Sequence, residues 1–323
     1  MTGPQRHGFL LLNKKSGISS FDSLAEIKRA FATGKAGHTG TLDKFASGLL
    51  LVLVGRGVKL ASLFSDFTKE YTATLLFGKE TETLDPEGKV IAEGPLPSRE
   101  DVESVLGGFM GDILQAPPSY SAVHINGRRA YELTREGKEP EMKKRPVTIH
   151  ELKILSWTPP EMVIHVSVSA GTYIRSLARD IALAAGSRAY LGKLTRTRVG
   201  PFRLEDAVGS QPDDNNGGNE TFIKALRPLD RTLFETLSLP CFFIDDKAAE
   251  DFLNGKPLNK IIEHSDSSQE AGVTAVVSSD AVSSAVVTAN AAGVFRKGEQ
   301  NELLGILSRQ NDKWSYGHVF ADN

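Results

Sequence analysis

Gly37-His38-Thr39-Gly40-Thr41-Leu42-Asp43-Lys44-Phe45-Ala46-Ser47-Gly48-Leu49 sets a single carboxylate, Asp43, in a glycine-punctuated bend, and the chain then runs into Leu49-Leu50-Leu51-Val52-Leu53-Val54. Glycine reaches backbone conformations that other residues avoid and lets a bulky ligand come close. The aliphatic run, bounded by glycines, reads as a buried strand or a short buried helix. Together the two halves describe one acid on a tight loop at the rim of a rigid core, which is how catalytic carboxylates are commonly mounted. By residue type alone Asp43 also fits a turn or a helix cap.

Outward from this stretch, Phe9-Leu10-Leu11-Leu12 reads as a first strand, followed by the turn Asn13-Lys14-Lys15-Ser16-Gly17. Ser19 to Phe31 has helical spacing with Ser and Asp at its start. Glu70 to Phe77 is β-branched and aromatic, hence a strand. Thr81 to Gly94 is polar, and its Asp85-Pro86-Glu87-Gly88 turn predicts a hairpin. Arg99 to Phe109 predicts a helix, Met162 to Ser169 alternates as a strand near the centre of a sheet, and Tyr173 to Ala185 predicts a helix ending near Gly186. This irregular mixture favours an α+β fold with a large sheet over a parallel α/β array. Gly209 to Glu220 has almost no apolar residue and predicts a flexible loop. His264 to Gly293 is a low-complexity zone of Ser, Ala and Val, flanked by strand-like Cys241-Phe242-Phe243-Ile244 and Leu303-Leu304-Gly305-Ile306-Leu307. The expected division is a large domain over residues 1–237 and a small β-rich one over 238–323.

A chain of 323 residues, 40% hydrophobic and 24% charged, suits one large and one small globular domain. The single cysteine, Cys241, excludes a disulfide framework or a cysteine-rich zinc site and fits a reducing setting. No apolar run approaches the roughly 18–20 residues of a membrane span, and the first residues lack the apolar core of a secretory signal, so the expectation is a cytoplasmic protein. The seven histidines show no metal-ligand spacing, and Thr33-Gly34-Lys35-Ala36-Gly37 lacks the spacing of a phosphate loop, so neither metal nor nucleotide cofactor is expected. The net charge of −2 hides an asymmetry: residues 1–203 carry 28 Lys and Arg against 21 Asp and Glu, the remainder 10 against 19. A basic body with an acidic tail is compatible with binding a phosphate backbone. The densest basic stretch is 171–203, with seven Arg and Lys against the single acid Asp180.

Several segments, taken in order across residues 8–203, resemble the TruB family of tRNA pseudouridine synthases. They are Asn13 to Ser20, the Gly37 to Leu49 stretch, Lys69-Glu70-Tyr71, Gln115-Ala116-Pro117-Pro118-Ser119-Tyr120-Ser121-Ala122, Gly171-Thr172-Tyr173-Ile174-Arg175, and Leu191 to Phe202. The chain departs from the family pattern at Lys15 and Lys44, where proline is usual, and at Thr195, where arginine is frequent. The resemblance implies a large mixed, mainly antiparallel sheet flanked by helices, a cleft across it, and a PUA-like C-terminal domain. It implies isomerisation of uridine to pseudouridine in tRNA, at uridine 55 of the T stem-loop, by a monomer without cofactor or metal. Asp43 falls on the catalytic aspartate, and Arg175 is expected to pair with it bidentately and favour its ionised form. Tyr71 is expected to stack on the extruded uracil or to take the C5 proton. Tyr173 is expected to shape the pocket, Leu194 to close its apolar side, His38 to wedge into the RNA, and Lys14 to support the substrate site. Arg128, Arg129, Lys143 and Lys144 fall in a thumb-loop insertion at about 119–145 that would order on tRNA, and Arg196 and Arg198 in a phosphate track. Two other readings remain open: a guide-RNA-dependent relative working inside a multiprotein particle, and an RNA-folding protein without turnover.

Overall fold

The computed structural model describes residues 7–125, 127–138, 140–209, 218–258, 290–298, 302–311 and 313–320. The chain opens with β1 (Gly8–Lys14), α1 (Leu24–Ala30), β2 (Ala36–Thr39), β3 (Ser47–Val54) and β4 (Lys69–Phe77). A short hairpin, β5 (Lys79–Thr81) and β6 (Val90–Glu93), leads to α2 (Arg99–Leu106) and β7 (Gly111–Gln115). A second hairpin, β8 (His124–Ile125) and β9 (Arg128–Arg129), runs into α3 (Ala130–Arg135). Then come β10 (Arg145–Thr158), β11 (Glu161–Val168), α4 (Ile174–Ala184), β12 (Ala189–Val199), β13 (Phe202–Arg203) and β14 (Val208–Gly209). The last part holds α5 (Gly218–Ala225), α6 (Arg231–Thr236), β15 (Cys241–Ile244), α7 (Asp246–Leu253), β16 (Ala291–Arg296), β17 (Leu303–Gln310) and β18 (Lys313–Val319).

The main sheet has ten strands in the order β14-β1-β3-β12-β4-β11-β10-β7, with β2 added to β3 and β13 to β12. Pairing is antiparallel except at β1/β14 and β3/β12, so the fold is the expected α+β type with a mainly antiparallel sheet. The unbroken apolar run resolves as a strand because both faces of β3 are covered. Leu50, Val52 and Val54 pack with Leu10, Leu12, Ile27 and Phe222, while Leu49, Leu51 and Leu53 pack with Phe9, Phe64 and Phe202. Strands buried on both sides read as continuous hydrophobic runs. On β4, Tyr71, Ala73, Leu75 and Phe77 share one face, covered by Ile174, Leu177 and Ile181 of α4.

One edge of β3 serves two partners in turn. Ser47 and Gly48 pair with Thr195 and Arg196 of β12, whereas Leu51 to Val54 pair with β2. The sheet therefore forks, and the loop 40–46 that joins β2 to β3 emerges at the fork. Gly48, at φ +104°, permits this: a Cβ there would stand 2.3 Å from the carbonyl oxygen of Arg196.

Several expectations are adjusted. The helix predicted from Ser19 starts at Leu24, because Ser19 and Asp22 close a turn on each other first. Of the loop predicted over Gly209–Glu220, Gly209 ends β14 and Gly218 opens α5, while 210–217 lie outside the described residues. Most of the low-complexity zone, residues 264–289, also lies outside them, and Ala291 already belongs to β16. The insertion expected to await RNA carries its own hairpin and the short helix α3, anchored by buried Ala130. The four-stranded C-terminal sheet β15-β16-β17-β18 holds a core of its own around Phe252 and Leu304. Its other face packs Phe295, Ile306 and Phe320 into the same cluster as Phe9, Leu51 and Phe64 of the main sheet.

Candidate active site

Loop 40–46 is fastened from beneath by the turn after β1. Ser20 Oγ accepts from the Leu42 amide and donates to its carbonyl, both at 2.8 Å. Ser16 Oγ donates to Phe45 O at 2.6 Å, and the Gly17 amide donates to Lys44 O at 2.8 Å. Lys14 is fully buried, and its ammonium donates to the carbonyls of Ala46 (2.6 Å), Ile18 (2.7 Å), Lys15 (3.0 Å) and Lys44 (3.4 Å). Burial lowers its pKa to about 8, with Asp43 pulling the other way and Arg196 adding to the fall. In place of the expected role at the substrate, Lys14 ties two loops together inside the protein and lines neither of the two cavities at Asp43. Lys14→Met removes the donor that these carbonyls share, leaving Lys44 O with the Gly17 amide, and is expected to cost about 3 kcal/mol of stability. The expected result is a lower urea midpoint at unchanged slope; an unchanged midpoint would show that the Lys14 bonds do not hold the two loops together.

Arg175 comes from the first turn of α4, whose start is fixed by Gln115. The Tyr173 amide donates to Gln115 Oε1 at 2.8 Å, and Gln115 Nε2 donates back to Tyr173 O at 3.1 Å. The guanidinium is 4% exposed. Its Nη2 donates to Asp43 Oδ1 at 3.1 Å and to Tyr120 O at 3.0 Å, and its Nη1 donates to Thr83 O at 2.8 Å. Its Nε lies 2.9 Å from Asp43 Oδ2, so two nitrogens face two oxygens, although only the Nη2 contact is aligned as a hydrogen bond. A second buried carboxylate, Asp85, stands 3.5 Å from Nη1. Asp85 is the residue that sequence reading missed. It accepts from Thr83 Oγ1 (2.5 Å) and the Glu87 amide (3.0 Å), bonds an ordinary turn aspartate also makes, so nothing local marks it as buried.

Asp43 presents its carboxyl, about a third exposed (36%), to two adjoining cavities. Burial is the largest influence on it and moves its pKa above the ordinary value of 3.8; Arg175 opposes, Asp85 reinforces, and Arg175's hydrogen bond and Lys14 oppose. Arg175 thus acts in the expected direction, favouring the ionised form, while burial sets the net shift. An inner cavity of about 310 Å³ is lined by Asp43, Tyr71, Tyr173, Arg175, Leu194 and Arg196, among others. An outer one of about 930 Å³ carries His38, Asp85, Arg129, Tyr131 and Arg135 besides Asp43 and Arg175. His38 Nδ1 is buried and has no hydrogen-bond partner among the described residues, and burial, then Arg196, lower its pKa, which fits a neutral ring.

The remaining cations divide. Arg196, expected in an external phosphate track, is 1% exposed and donates to the carbonyls of Leu49 (2.7 Å) and Gly40 (2.9 Å), because β12 is a central strand. Arg198 is half-buried and donates to Glu70 and to Gly200 O. Arg128 is paired with Glu136, Lys143 and Lys144 are exposed, and all three stand apart from the cavities. Arg145 lies over the Tyr173 ring, 5.1 Å from its centroid.

A family model described as "TruB family pseudouridylate synthase (N terminal domain)" matches residues 28–174. A protein of Borreliella burgdorferi named tRNA pseudouridine synthase B is 48% identical over 205 residues, covering 62% of this chain and 73% of that one. One of the same name from Geobacillus kaustophilus is 39% identical over 257 residues, covering 77% and 89%. Among solved structures, one titled as a Cbf5-Nop10-Gar1 complex aligns with TM-score 0.63 at 23% identity, over 98% of this chain and 84% of that one. At that identity the likeness concerns the fold.

Proposed function

The chain belongs to the TruB family of pseudouridylate synthases and is an isomerase; on that premise we propose that it converts uridine 55 in the T stem-loop of tRNA to pseudouridine, with Asp43 as the catalytic carboxylate. One observation carries the residue assignment. The carboxyl of Asp43 meets the guanidinium of Arg175, 132 positions along the chain, on the wall of a cavity that also holds Tyr71 and Leu194. Its volume of about 310 Å³ falls at the small end of ordinary small-molecule sites, as befits a single everted nucleoside. The relatives' shared name, tRNA pseudouridine synthase B, supports tRNA as the substrate.

The proposed course is as follows. The basic body docks the T arm through phosphate contacts and shape. The target uridine leaves the stack, His38 occupies the gap as a neutral wedge, and the uracil stacks on Tyr71. Asp43, ionised, attacks C1′ or removes the C2′ proton, and the C1′–N1 bond breaks. The freed uracil turns and rebonds through C5, the C5 proton departs and N1 gains one. The sum is an isomerisation, so no cofactor takes part, and one chain supplies every group named. Arg129 and Arg135, which line the outer cavity, and exposed Lys143 and Lys144 would meet the phosphates on this reading. Residues 1–237 form the catalytic domain on this reading and 238–323 the PUA-like one. With tRNA as substrate, the place of action is the cytoplasm.

The test is purified protein on an unmodified tRNA transcript, with pseudouridine mapped to the nucleotide. Product at position 55 without added RNA or protein is expected. Product at another uridine overturns the position, and product only with an added guide RNA favours the particle-bound alternative.

A further inference from the structure

Lys69, Arg175 and Arg196 all line the inner cavity, and among the described residues only Arg175 has a carboxylate within 4.0 Å. Arg196 is held by two carbonyls. Lys69 is 8% exposed, and its ammonium donates to a single carbonyl, Ser65 O, at 2.8 Å. Nothing in the course described above uses Lys69.

Its position is defined by the sheet. Lys69 and Tyr71 point to the same buried face of β4, and Tyr71 is paired in register with Arg196 on β12. A Cβ placed on Gly40 would stand 3.5 Å from Arg196 Nη1 and 3.9 Å from Lys69 Cε, so both cations converge on the Gly40 end of the cavity. The charges felt at Asp43 are those of Arg175, Asp85 and Lys14. The cavity is thus bipolar, with the paired acid at one end and, at the other, two cations that have no carboxylate within 4.0 Å among the described residues.

An ammonium taken out of water with no carboxylate in contact is costly. Burial lowers the Lys69 pKa to about 8, Arg196 adds to the fall, and Asp66 opposes it. An arriving anion would relieve both cations. Resting on the isomerase reading above, we propose that Lys69 is a catalytic residue that holds the departing uracil as its anion. When the C1′–N1 bond breaks, the bonding pair leaves with the ring and spreads over N1, O2 and O4. This holds whether Asp43 has attacked C1′ or removed the C2′ proton. A base stacked on Tyr71 has its edge beside the residue two positions earlier on that strand face, and a fixed cation there stabilises charge that appears only as the bond breaks. The anion then turns and C5 bonds to C1′. That step releases the Asp43 carboxylate, or on the other route lets C2′ regain its proton. Loss of the C5 proton and protonation of N1 complete the isomer.

The test compares T-arm RNA carrying uridine or 5-fluorouridine at the target position, in single-turnover cleavage of the N1 glycosidic bond by the full chain. Fluorine at C5 makes the uracil anion intrinsically more stable and less dependent on outside help. Lys69→Met is expected to slow the uridine reaction on the order of 10²–10³-fold but the 5-fluorouridine reaction by no more than about tenfold, while RNA affinity stays within about threefold. Lys69→Arg, which keeps the charge, should stay within about tenfold of the parent on both. Because both substrates are run on one preparation, any inactive fraction cancels from the ratio. If Lys69→Met does not fold, Lys69→Gln, which can still donate to the Ser65 carbonyl, carries the same comparison. Equal slowing on both substrates would overturn the proposal in favour of a structural lysine, and a change confined to RNA affinity would reassign Lys69 to a phosphate. A parent protein that makes no pseudouridine in tRNA would instead sink the isomerase reading itself.

Discussion

Asp43→Asn is expected to abolish pseudouridine formation, with a loss on the order of 10⁴-fold or more, the scale seen when an enzyme's nucleophile is removed. The amide nitrogen can neither attack C1′ nor accept the C2′ proton. The substitution is nearly isosteric, and the remaining amide oxygen can still accept the Arg175 Nη2 hydrogen bond that the carboxylate accepts at 3.1 Å. The loop's other anchors, Ser20 to Leu42 and Lys14 to Ala46, do not involve the side chain. Binding of tRNA should therefore change by no more than about tenfold, or about 1.4 kcal/mol. Rapid-quench assays paired with filter binding separate the two quantities. Turnover within about tenfold of the parent would reject Asp43 as the reacting group, whereas an equal collapse of binding would move it to the docking surface.

Arg175→Lys should be the next most severe change, with turnover down on the order of 10³-fold. The guanidinium meets Asp43, Asp85 and the carbonyls of Thr83 and Tyr120 at once, and a single ammonium cannot span those directions. The pH dependence gives the sharper reading. On the proposed mechanism Asp43 must be ionised to react, and its folded pKa is raised above 3.8 chiefly by burial, with Arg175 opposing the rise. Activity is therefore lost as pH falls through that raised value. Weakening the opposing cation moves the acid limb of the kcat profile of Arg175→Lys to higher pH than in the parent. Stability runs the other way. A carboxyl whose folded pKa lies above its unfolded one binds a proton more tightly in the fold, so between the two values acidification stabilises the protein while it silences the enzyme. A coincident acid limb in the two proteins would show that Arg175 does not govern the charge on Asp43.

The chain's local patterns revealed a good deal. The aliphatic run, the alternation over Met162 to Ser169 and the helical spacing after Tyr173 all became elements close to where they were expected, since each has a buried face that dictates its period. Among the strands that escaped are the two longest, β12 and β10. β12 holds Thr195-Arg196-Thr197-Arg198, a run that looks solvent-facing, yet Arg196 is buried because backbone carbonyls satisfy it. β10 has one strand edge of residues as exposed as Leu155 beside buried Ile149, which blurs its alternation. At the candidate site, motif resemblance pointed to Asp43 and Arg175 although they are far apart in sequence. Asp85 and Lys69 were not legible because burial is a property of what packs over a residue. A lysine at the start of a strand and an aspartate in a turn are both ordinary until the cover is known.

The C-terminal sheet has a consequence of another kind. Phe295, Ile306 and Phe320 share one hydrophobic cluster with Phe9, Phe64 and with Leu49, Leu51 and Leu53 of β3, the strand that follows the Asp43 loop. A lobe that leans on this wall is more than a tethered accessory free to swivel on a linker. Were this lobe to hold nucleic acid, as proposed, that strand would stand at a set distance and angle from Asp43, and the lobe would work as a ruler.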